Sequence, residues 1–562
     1  MDTQRLILFV IFSFSALFLW ERWQSEHRPP VPPPATQQAA PATGIDAPVP
    51  GSAMPPTQPG AVPGVVAATS PPSEKVVIKT DLYTAAVDTL GAVLTEVALG
   101  AHRDTYDASK PYVFLQKNAE RTLVAQTGLL GDGLPNHQTL WQALPGPREL
   151  ASGVNELVLT LQATAANGDK VEQKLTFHRG SYVIDVAYDV TNAGTAPIAP
   201  YAYFQFTRDT KAPVVQSSMA PAAYTGPVLY NETDKFKKIA FAELDKLAAE
   251  PSRKLPYTKN TDNGWVGMVE HYFVAAWLPS EEPKTPREFY AKKLDNGLYA
   301  DGVIVQAAPI APGATGEIKV PLYVGPQEQD TLKRLAKGLD LVVDYGIFTV
   351  VAAPLFWLLK WLDRLVHNWG WAIVLLTIII KSVFYPLNHA SARSMAKMKV
   401  IAPKLKALQA QYAGDKQQLQ MKMMEMYKTE KINPLGGCLP ILVQMPVFIA
   451  LYWVLLSAVE LRHAPWIAWI HDLSAPDPYF VLPVVYAITA YLQVKLSPTP
   501  IQDPVQAKVM QIMPIAFSVM FIFFPSGLVL YWLINNSLQI FQQWHMNRVL
   551  EREAAAAAAR RR

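Results

Sequence analysis

The chain has 562 residues, of which 50% are hydrophobic and 17% are charged, and its mean hydropathy is +0.10. This length exceeds that of a single domain, and the mixture is typical of apolar spans that alternate with soluble segments. The single cysteine, Cys438, excludes an intramolecular disulfide, so the soluble part must be stabilised by its own core. The net charge of +4 is unremarkable, whereas the distribution of charge along the chain is informative about its organisation.

The first 24 residues are predicted to form an uncleaved membrane anchor, residues 1–24. Their apolar run, Leu6–Trp20, is followed by bulky and charged residues instead of the small-residue cleavage site of a signal peptide. With its flanks the run reaches about 20 residues, the length of a membrane span. We expect its N-terminus in the cytoplasm.

Residues 25–73 are predicted to be an extended periplasmic tether. They contain fourteen prolines among Ala, Gly, Thr and Gln. Such a segment cannot bury enough apolar surface to offset its conformational entropy, and proline keeps it extended.

Residues 74–326 are predicted to form an all-β domain of two packed antiparallel sheets. Segments such as ELVLTLQATA and KVEQKLTFHRGSYVIDVAYDV alternate apolar and polar residues and are rich in Val, Thr and Tyr. We assign the domain a binding or scaffolding role, with no catalytic residue, cofactor or metal. No nucleophile or metal-ligand spacing surrounds its histidines, which are better explained as exposed or packed side chains: His102, His137, His178 and His271.

Residues 327–368 are predicted to hold an amphipathic helix that lies in the membrane interface. The segments TLKRLAKGLDLVVDYG and PLFWLLKWLDRLV place apolar side chains at helical spacing, with charged side chains opposite. The alternative is a buried core helix of the β domain.

Residues 369–388 are predicted to form the second membrane span, a continuous helix of about 19 residues from Trp369 to Leu387. Its single charge is Lys381, with Thr377 one helical turn earlier on the same face. A lysine near the bilayer centre costs on the order of 3 kcal/mol, so it requires a compensating environment. Two environments fit: the side chain snorkels to the helix end, or it faces a water-filled cavity that is open on that side.

Residues 389–435 are predicted to form a cytoplasmic helical hairpin with nine basic and three acidic residues. Pro403 is expected to kink or restart the first arm, and Asp415 with Gln418 resembles a capping box that opens the second arm. The methionines either pack the arms together or accept varied apolar partners. The basic excess binds lipid headgroups, binds ribosomal RNA or only sets the topology. The expected contact residues are Met395, Lys397, Met398, Lys399, Met423 and Met424.

Four more apolar segments follow, and the basic segments between them predict the topology. By the positive-inside rule the hairpin, the loop 497–508 and the C-terminal tail are cytoplasmic. A topology of six spans, with both termini in the cytoplasm and the β domain in the periplasm, then agrees with the charge of every loop. The remaining predicted boundaries are the third span 436–459, the periplasmic loop 460–478, the fourth span 479–496, the cytoplasmic loop 497–508, the fifth span and its turn 509–526, the sixth span 527–545 and the tail 546–562.

Polar side chains recur inside the predicted spans. Individually such residues often only bridge helices. No span contains a carboxylate at depth, and the last five spans do not divide into inverted halves, which disfavours a coupled transporter. Taken together, the polar side chains predict a bundle interior that is hydrated on the cytoplasmic side and closed on the other side. These polar residues are Lys381, Thr377, Gln444, Gln493 and Asn535.

Three groups of sequence motifs resemble those of a known family. The chain resembles the YidC membrane protein insertases in its segments Asn433–Pro440 with Gln444–Pro446, Glu460–Arg462 with Trp469–Ser474, and Phe524–Trp532. With the anchor, the tether and the β domain, the resemblance is to the Gram-negative form and covers the whole chain.

The resemblance implies a multi-pass α-helical protein of the bacterial inner membrane, with six spans and a periplasmic domain that resembles a β-supersandwich. It implies an insertase and chaperone, not an enzyme, that inserts newly made membrane proteins and helps them fold, alone or with the Sec translocon. The ribosome, the signal recognition machinery and phospholipids are further implied partners. The implied substrate groove is positive, hydrated and open to cytoplasm and lipid, and its residues here are Lys381, Thr377, Gln444, Asn535, Tyr531 and Trp532.

The chain departs from the family pattern at three places. The groove cation is usually arginine, whereas Lys381 keeps the charge but lacks the bidentate fork of a guanidinium. An aromatic substrate contact, often tyrosine, matches Tyr531 or Trp532, and we align Trp532. The C-terminal tail is also shorter than the long basic tails to which ribosome binding is credited.

Two other classes of function stay open at the level of the sequence. A membrane-anchored carbohydrate-active enzyme would use the β domain and would need a paired acid and base in a cleft. A channel would need a continuous polar pore through both leaflets.

Overall fold

The computed structural model describes residues 73–104, 107, 109–211, 223–412, 414–429, 439–496, 512–513, 516 and 518–561. The predicted anchor 1–24, residues 25–72 of the tether and the predicted loop 497–508 lie outside the described residues. Residues 430–438, where the predicted hairpin ends and the predicted third span begins, and part of the predicted fifth span also lie outside them.

The alternation of apolar and polar residues produces eighteen strands between Lys75 and Pro326. In the strand Glu156–Thr164, for example, Leu157, Leu159 and Leu161 are buried and the residues between them are more exposed. The strands are β1 (Lys75–Lys79), β2 (Tyr83–Asp88), β3 (Val93–Arg103), β4 (Pro111–Lys117), β5 (Thr122–Leu130), β6 (Gln142–Ala143), β7 (Glu156–Thr164), β8 (Lys170–His178), β9 (Val183–Thr191), β10 (Tyr201–Arg208), β11 (Gly226–Asn231), β12 (Lys235–Lys238), β13 (Asn260–Thr261), β14 (Trp265–Glu270), β15 (Phe273–Trp277), β16 (Arg287–Lys293), β17 (Tyr299–Gln306) and β18 (Thr315–Pro326).

These strands form two nine-stranded sheets. The first has the order β1-β2-β3-β4-β5-β10-β17-β16-β13, and the second has the order β12-β11-β14-β15-β18-β9-β8-β7-β6. Leu159 pairs with Leu175 across the antiparallel strands β7 and β8. Both leucines share one buried cluster with Leu99 and Phe204 of the first sheet. The predicted pair of packed sheets is therefore confirmed.

Nine α-helices are described, one within the β domain and eight after it. Short 3₁₀ turns precede some of them, at Leu339–Val342, Gly346–Phe348, Val459–Leu461 and Phe521–Phe523. The helices are α1 (Phe241–Ala249), α2 (Gln329–Leu335), α3 (Thr349–Val366), α4 (Trp369–Val383), α5 (Tyr385–Gln411), α6 (Lys416–Thr429), α7 (Leu439–Ser457), α8 (Val481–Leu496) and α9 (Ser526–Arg561).

The prediction of one continuous helix from Trp369 to Leu387 is wrong, because the chain breaks at Phe384. α4 ends at Val383, and it meets the segment Tyr385–Ser391 of α5 at an angle of 61°. Pro386 explains the break: its nitrogen has no hydrogen to donate within a continuing helix, and its ring clashes with the carbonyl four residues earlier. In the first turn of α5, where Pro386 lies, proline is tolerated. The bend leaves Lys381 near the end of α4.

The hairpin consists of α5 and α6. α5 continues through Pro403, so the helix does not restart there. The Asp415 carboxylate accepts hydrogen bonds from the backbone N–H groups of Gln417 and Gln418, each at 3.0 Å, so the predicted cap is present. Met423 packs against Ile401 of the other arm.

The remaining predicted hairpin contacts divide into two groups. Met424 is exposed on α6. The other four lie on α5, and their side chains are outside what the structure describes: Met395, Lys397, Met398 and Lys399. At Met423 the methionine serves packing between the arms, and at Met424 it is available to a partner.

α3 has two apolar faces instead of one. Its charged residues Lys360 and Arg364 lie 2.8 and 3.5 Å from the Asp330 carboxylate of α2. The first apolar face is buried, packs chiefly against α4 and α7, and consists of Ala352, Phe356, Leu359 and Leu362. The second is exposed and consists of Val350, Trp357, Trp361 and Leu365. α3 is thus a helix of the bundle and not a core helix of the β domain, while its interfacial location stays a prediction.

The β domain contacts the end of α7 and the segment 458–480, which lies between α7 and α8. His271 of the β domain donates its Nε2–H to the Leu456 carbonyl at 2.9 Å, and burial lowers the pKa of this histidine. It is one of the packed histidines that the sequence predicts. The Arg462 guanidinium lies 5.3, 5.9 and 5.5 Å from the centroids of three rings of the β domain: Tyr112, Tyr272 and Phe273.

An ionic cluster lies where α2, α3 and the 459–461 turn meet. The Lys360 ammonium is 2.8 Å from Asp330, 4.0 Å from Glu328 and 3.9 Å from Glu460. Burial raises the pKa of Glu460 to about 7, and the charge of Lys360 opposes this shift. One cation is therefore shared among three carboxylates, which links the end of the β domain to the segment between α7 and α8.

Length and hydropathy single out one bent pair of helices among the described residues. No single described helix is long and apolar enough to cross a bilayer unaided, but α4 and the Tyr385–Ser391 segment together satisfy both criteria. The Val443–Ser457 part of α7 and the whole of α8 are apolar but shorter. The number of spans therefore stays a prediction.

We predict that Gly370→Ala destabilises the protein, although alanine is the better helix former by about 1 kcal/mol. A Cβ atom on Gly370 would lie 2.1, 2.3 and 2.6 Å from Cδ1, Cγ and Cβ of Trp466, so α4 and the segment 458–480 would have to separate. We expect the free energy of unfolding to fall by about 1–3 kcal/mol, measured by reversible unfolding in detergent micelles.

The control is Gly146→Ala, because a Cβ atom there meets nothing within 4 Å. Its free energy of unfolding should stay within about 0.5 kcal/mol of the wild type. An unchanged stability of Gly370→Ala would contradict the close packing of α4 against Trp466.

Candidate functional site

Lys381 lies inside the helix bundle, where α4 meets α9. Only 9% of the residue is exposed, and its ammonium donates to Oε1 of Gln539 at 2.9 Å. At 1.5 Å per residue, Lys381 is about 18 Å along α4 from Trp369, and Gln539 is about 20 Å along α9 from Ser526, so the two residues are at matching depth. The lysine therefore reaches across to α9 instead of extending past the end of α4.

Thr377 is fully buried one turn before Lys381, but its hydroxyl is directed to its own helix. It donates to the carbonyl of Ile373 at 2.7 Å. Such a local bond satisfies a hydroxyl in apolar surroundings without a partner from another helix. Thr377 thus shares the predicted face with Lys381, and its hydroxyl is already satisfied.

A second polar contact joins α5 and α7. Gln444 donates its Nε2–H to Oδ1 of Asn388 at 3.3 Å, and Asn388 is buried. The Nδ2 atom of Asn388 is also buried and has no hydrogen-bond partner within the described residues. The predicted residue Gln444 is therefore half-buried and pairs with a buried amide, that of Asn388, which lies just beyond the bend at Phe384.

A third polar contact joins α8 and α9. Asn536 is buried and donates its Nδ2–H to Oγ1 of Thr489 at 2.9 Å. The predicted groove residue Asn535 is the immediate neighbour of Asn536, so its side chain leaves the helix about 100° away. The interhelical contact is made by Asn536, and the role of Asn535 stays a prediction.

The predicted aromatic contacts lie in the interior of the bundle. Tyr531 is buried, and its ring centroid is 6.5 Å from that of Trp532. Within the described part of the chain, the indole Nε1 of Trp532 is buried without a hydrogen-bond partner. The Trp532 centroid lies 4.8, 6.2 and 5.8 Å from those of three further rings: Phe448, Tyr486 and Phe521.

The end of the bundle next to the β domain is apolar and covered. The backbone N–H groups of Ser526 and Gly527 donate to carbonyls of Ala475 and Leu473, so the segment 458–480 closes over the start of α9. The polar contacts of Lys381, Asn388 and Asn536 all lie further from this end. The buried apolar side chains here are Ala372, Ile373, Leu376, Leu528, Val529 and Leu530.

Sequence reasoning identified Lys381 and Gln444 and missed their partners. Gln539 follows Asn535 by four residues, one helical turn, so it lies on the same face of α9. Asn388 follows Lys381 by seven residues, which is two turns, but the bend at Phe384 intervenes. The structure brings Lys381 to Gln539 and Gln444 to Asn388, and it forms no single hydrogen-bonded cluster of the predicted residues within the described ranges.

The chemistry of the site is that of binding. Its polar groups are amides, hydroxyls and one ammonium, which recognise charge and hydrogen-bond partners. In the part of the chain that the structure describes, no three His, Cys, Asp or Glu side chains are grouped so as to hold a metal ion.

Two family models match the chain and together cover nearly all of the described residues. Residues 75–358 match the YidC periplasmic domain, and residues 361–553 match the 60Kd inner membrane protein. The chain belongs to the YidC family. The β domain is accordingly the periplasmic domain of an inner membrane protein.

Full-length relatives agree with the family models. The chain is 49% identical to a membrane protein insertase YidC of Nitrosospira multiformis, over 99% of this chain and 98% of the relative. It is 48% identical to the YidC insertase of Aromatoleum aromaticum, over 99% and 100%. A crystal structure of an active YidC insertase with its first transmembrane domain resolved is 19% identical, covers 84% of this chain and 92% of that chain, and gives a TM-score of 0.39.

The family assignment decides between the classes of function that the sequence left open. YidC proteins are membrane protein insertases and not enzymes, so the carbohydrate-active alternative is set aside. The resemblance noted on the sequence motifs is confirmed.

We predict that Lys381 and Gln539 are energetically coupled. In a double-mutant cycle of Lys381→Met and Gln539→Leu, the coupling free energy should be about 1–2 kcal/mol, because a charged donor loses its acceptor in apolar surroundings. Reversible unfolding of the four proteins in mixed micelles measures it.

The matched control replaces Gln539→Leu with Gln543→Leu, one turn further along α9. The Gln543 amide donates to Asn547 at 3.0 Å and not to the lysine. Its coupling to Lys381→Met should be below about 0.5 kcal/mol. Equal coupling in the two cycles would refute the Lys381–Gln539 contact.

Proposed function

We propose that this chain inserts newly made proteins into the inner membrane and helps them fold, by receiving their polar segments in a positive, hydrated groove around Lys381. The observation that carries the proposal is the inward position of Lys381, which donates to Gln539 inside the bundle. A snorkelling lysine would extend its stem to the helix end, where its ammonium meets water.

The proposed topology has six spans, both termini in the cytoplasm and the groove open to the cytoplasm and to lipid. It rests on the asymmetry of the bundle, whose apolar end is covered by the segment 458–480 next to the periplasmic domain. The opposite end is where the basic hairpin leaves α4, and basic segments are retained in the cytoplasm.

Hydration of the groove is supported by buried donors that lack a protein acceptor. In the described parts of α4 to α9 these include Asn388 Nδ2, Trp532 Nε1 and Gln542 Nε2, and a further one, Trp466 Nε1, lies in the segment 458–480 at the covered end. A buried donor without a partner costs about 1–3 kcal/mol, whereas a water molecule satisfies it. We infer that water enters from the cytoplasmic side as far as Trp532.

A groove of this kind lowers the cost of moving a polar segment part-way into the bilayer. The ammonium attracts acidic residues of the segment, and the amides of Gln444 and Gln539 exchange hydrogen bonds with its backbone. Tyr531 and Trp532 would contact the apolar part of the substrate, and Asn535 would complete the lining. Thr377, which is fully buried, would lie behind the lining on the face of Lys381.

The proposed partners follow from the same arrangement. Nascent membrane proteins enter the groove, with or without the Sec translocon. The hairpin, with its exposed Met424 and its basic residues, is proposed to contact the ribosome, the signal recognition machinery or lipid headgroups.

We predict that insertion follows the charge at position 381. Lys381→Arg should retain activity, Lys381→Ala should be intermediate, and Lys381→Glu should insert substrates with acidic N-terminal tails about tenfold more slowly, because attraction becomes repulsion. Insertion is measured by protease protection of the translocated tail in proteoliposomes.

The substrate supplies the control for misfolding. Lys381→Glu should insert a substrate with a basic tail at close to the wild-type rate, which a misfolded protein cannot do. Lys495→Glu is a second control, because this ammonium lies over the Tyr491 ring, 4.8 Å from its centroid. If Ala and Glu variants are fully active on every substrate, position 381 has no role in a charged groove.

A further inference from the structure

The exposed face of α3 is a stripe of large apolar side chains. The exposed fractions are 86% for Val350, 68% for Trp357, 50% for Trp361 and 63% for Leu365. These residues recur at intervals of seven, four and four, which places them on one side of the helix. Two indoles and two aliphatic side chains on one face are unfavourable in water and indicate a surface that is covered in the functional protein.

The position of α3 in the chain indicates what covers the stripe. Only His367 and Asn368 separate α3 from α4, so the end of α3 lies within a few ångströms of the start of the predicted span. Trp371, at that start, is exposed as well. In an inner membrane protein, tryptophans at this level lie among lipid headgroups and not in bulk water.

A cavity of about 330 Å³ opens beside this stripe, between α2 and α3. Its charged lining consists of three cations, Lys333, Lys360 and Arg364, and one carboxylate, Asp330. Trp357 and Trp361 complete the wall toward the stripe. Positive charge and indole rings therefore meet in one cavity.

Two of the three cations are available to a ligand. Lys360 is engaged by carboxylates, whereas the side chains of Lys333 and Arg364 are 59% and 69% exposed. Lys333 is 4.0 Å from Asp340, and Arg364 is 3.5 Å from Asp330, so neither ion pair is tight. A guanidinium and an ammonium in this setting match the oxygens of a phosphodiester.

We infer that the cavity between α2 and α3 binds the headgroup of an anionic phospholipid from the periplasmic leaflet. Lys333 and Arg364 contact its phosphodiester, and Trp357 and Trp361 lie along its glycerol and upper acyl chains. The two exposed cations select an anionic lipid over a zwitterionic one. A bound lipid would also tie α2, which follows the last strand of the periplasmic domain, to the helix that enters the membrane.

The inference is independent of the groove around Lys381, and its test does not use insertion activity. The full chain is reconstituted into nanodiscs of phosphatidylcholine that contain a photoactivatable phosphatidylglycerol. Crosslinked peptides are mapped by mass spectrometry, and unlabelled phosphatidylglycerol or phosphatidylcholine is the competitor. We expect crosslinks within residues 328–366 that phosphatidylglycerol displaces and phosphatidylcholine does not.

Paired charge variants distinguish a localised binding site from general electrostatic attraction of anionic lipid to the protein. Lys333→Gln with Arg364→Gln should weaken phosphatidylglycerol binding about tenfold, while Arg334→Gln with Lys337→Gln removes the same charge outside the cavity and should leave it within about twofold. Lys333→Arg with Arg364→Lys keeps the charge and should retain binding, which excludes misfolding as the cause of a loss.

Three results would overturn the inference. Equal losses in the two charge-removed variants would mean that the attraction is not localised to the cavity. Equal displacement by phosphatidylcholine would mean that the headgroup is not recognised. An absence of crosslinks within residues 328–366, while other residues of the chain are labelled, would mean that lipid does not occupy the cavity and the stripe.

Discussion

A single ammonium inside an apolar helix bundle is the constraint on which the arrangement of the helices depends. A lysine at this depth costs on the order of 3 kcal/mol in hydrocarbon, so it persists only where an acceptor and water are within reach. Gln539 supplies the acceptor at 2.9 Å, from the matching depth of α9. The amide pair of Asn388 with Gln444 and the amide–hydroxyl contact of Asn536 with Thr489 are displaced toward the same end of the bundle.

The opposite end of the bundle is covered, so the two ends of the bundle differ. The aromatic rings of the β domain surround Arg462 of the segment 458–480, and His271 bonds to Leu456 at the end of α7. The segment 458–480 in turn covers the start of α9. Gly370 lets α4 approach Trp466 closely. Among the described residues, this end of the bundle is therefore covered, as the proposed insertase requires.

The sequence predicted those features that are set by local pattern and failed where three-dimensional packing decides. Period-two alternation predicted the two sheets, and Asp415 predicted the start of α6. Apolar continuity outweighed Pro386, so the bend at Phe384 was missed. The periodicity of α3 could not reveal which of its two apolar faces is buried. Lys381 was identified because a charge within an apolar run is conspicuous. Gln539 was not recognised as its partner, because the depth of a residue in α9 can be matched to α4 only when the start of α9 is known.

The central claim, that substrates occupy the interior around Lys381, is tested most directly by site-specific crosslinking of a stalled nascent membrane protein. A photoreactive amino acid is placed at Gln539 or, as a control, at Phe541, which is 65% exposed and about 200° further around the same helix. The account predicts crosslinks from position 539, concentrated in the polar segment of the substrate, and few from position 541. Crosslinks from position 541 alone would contradict it, because the substrate would then pass along the outer face of α9.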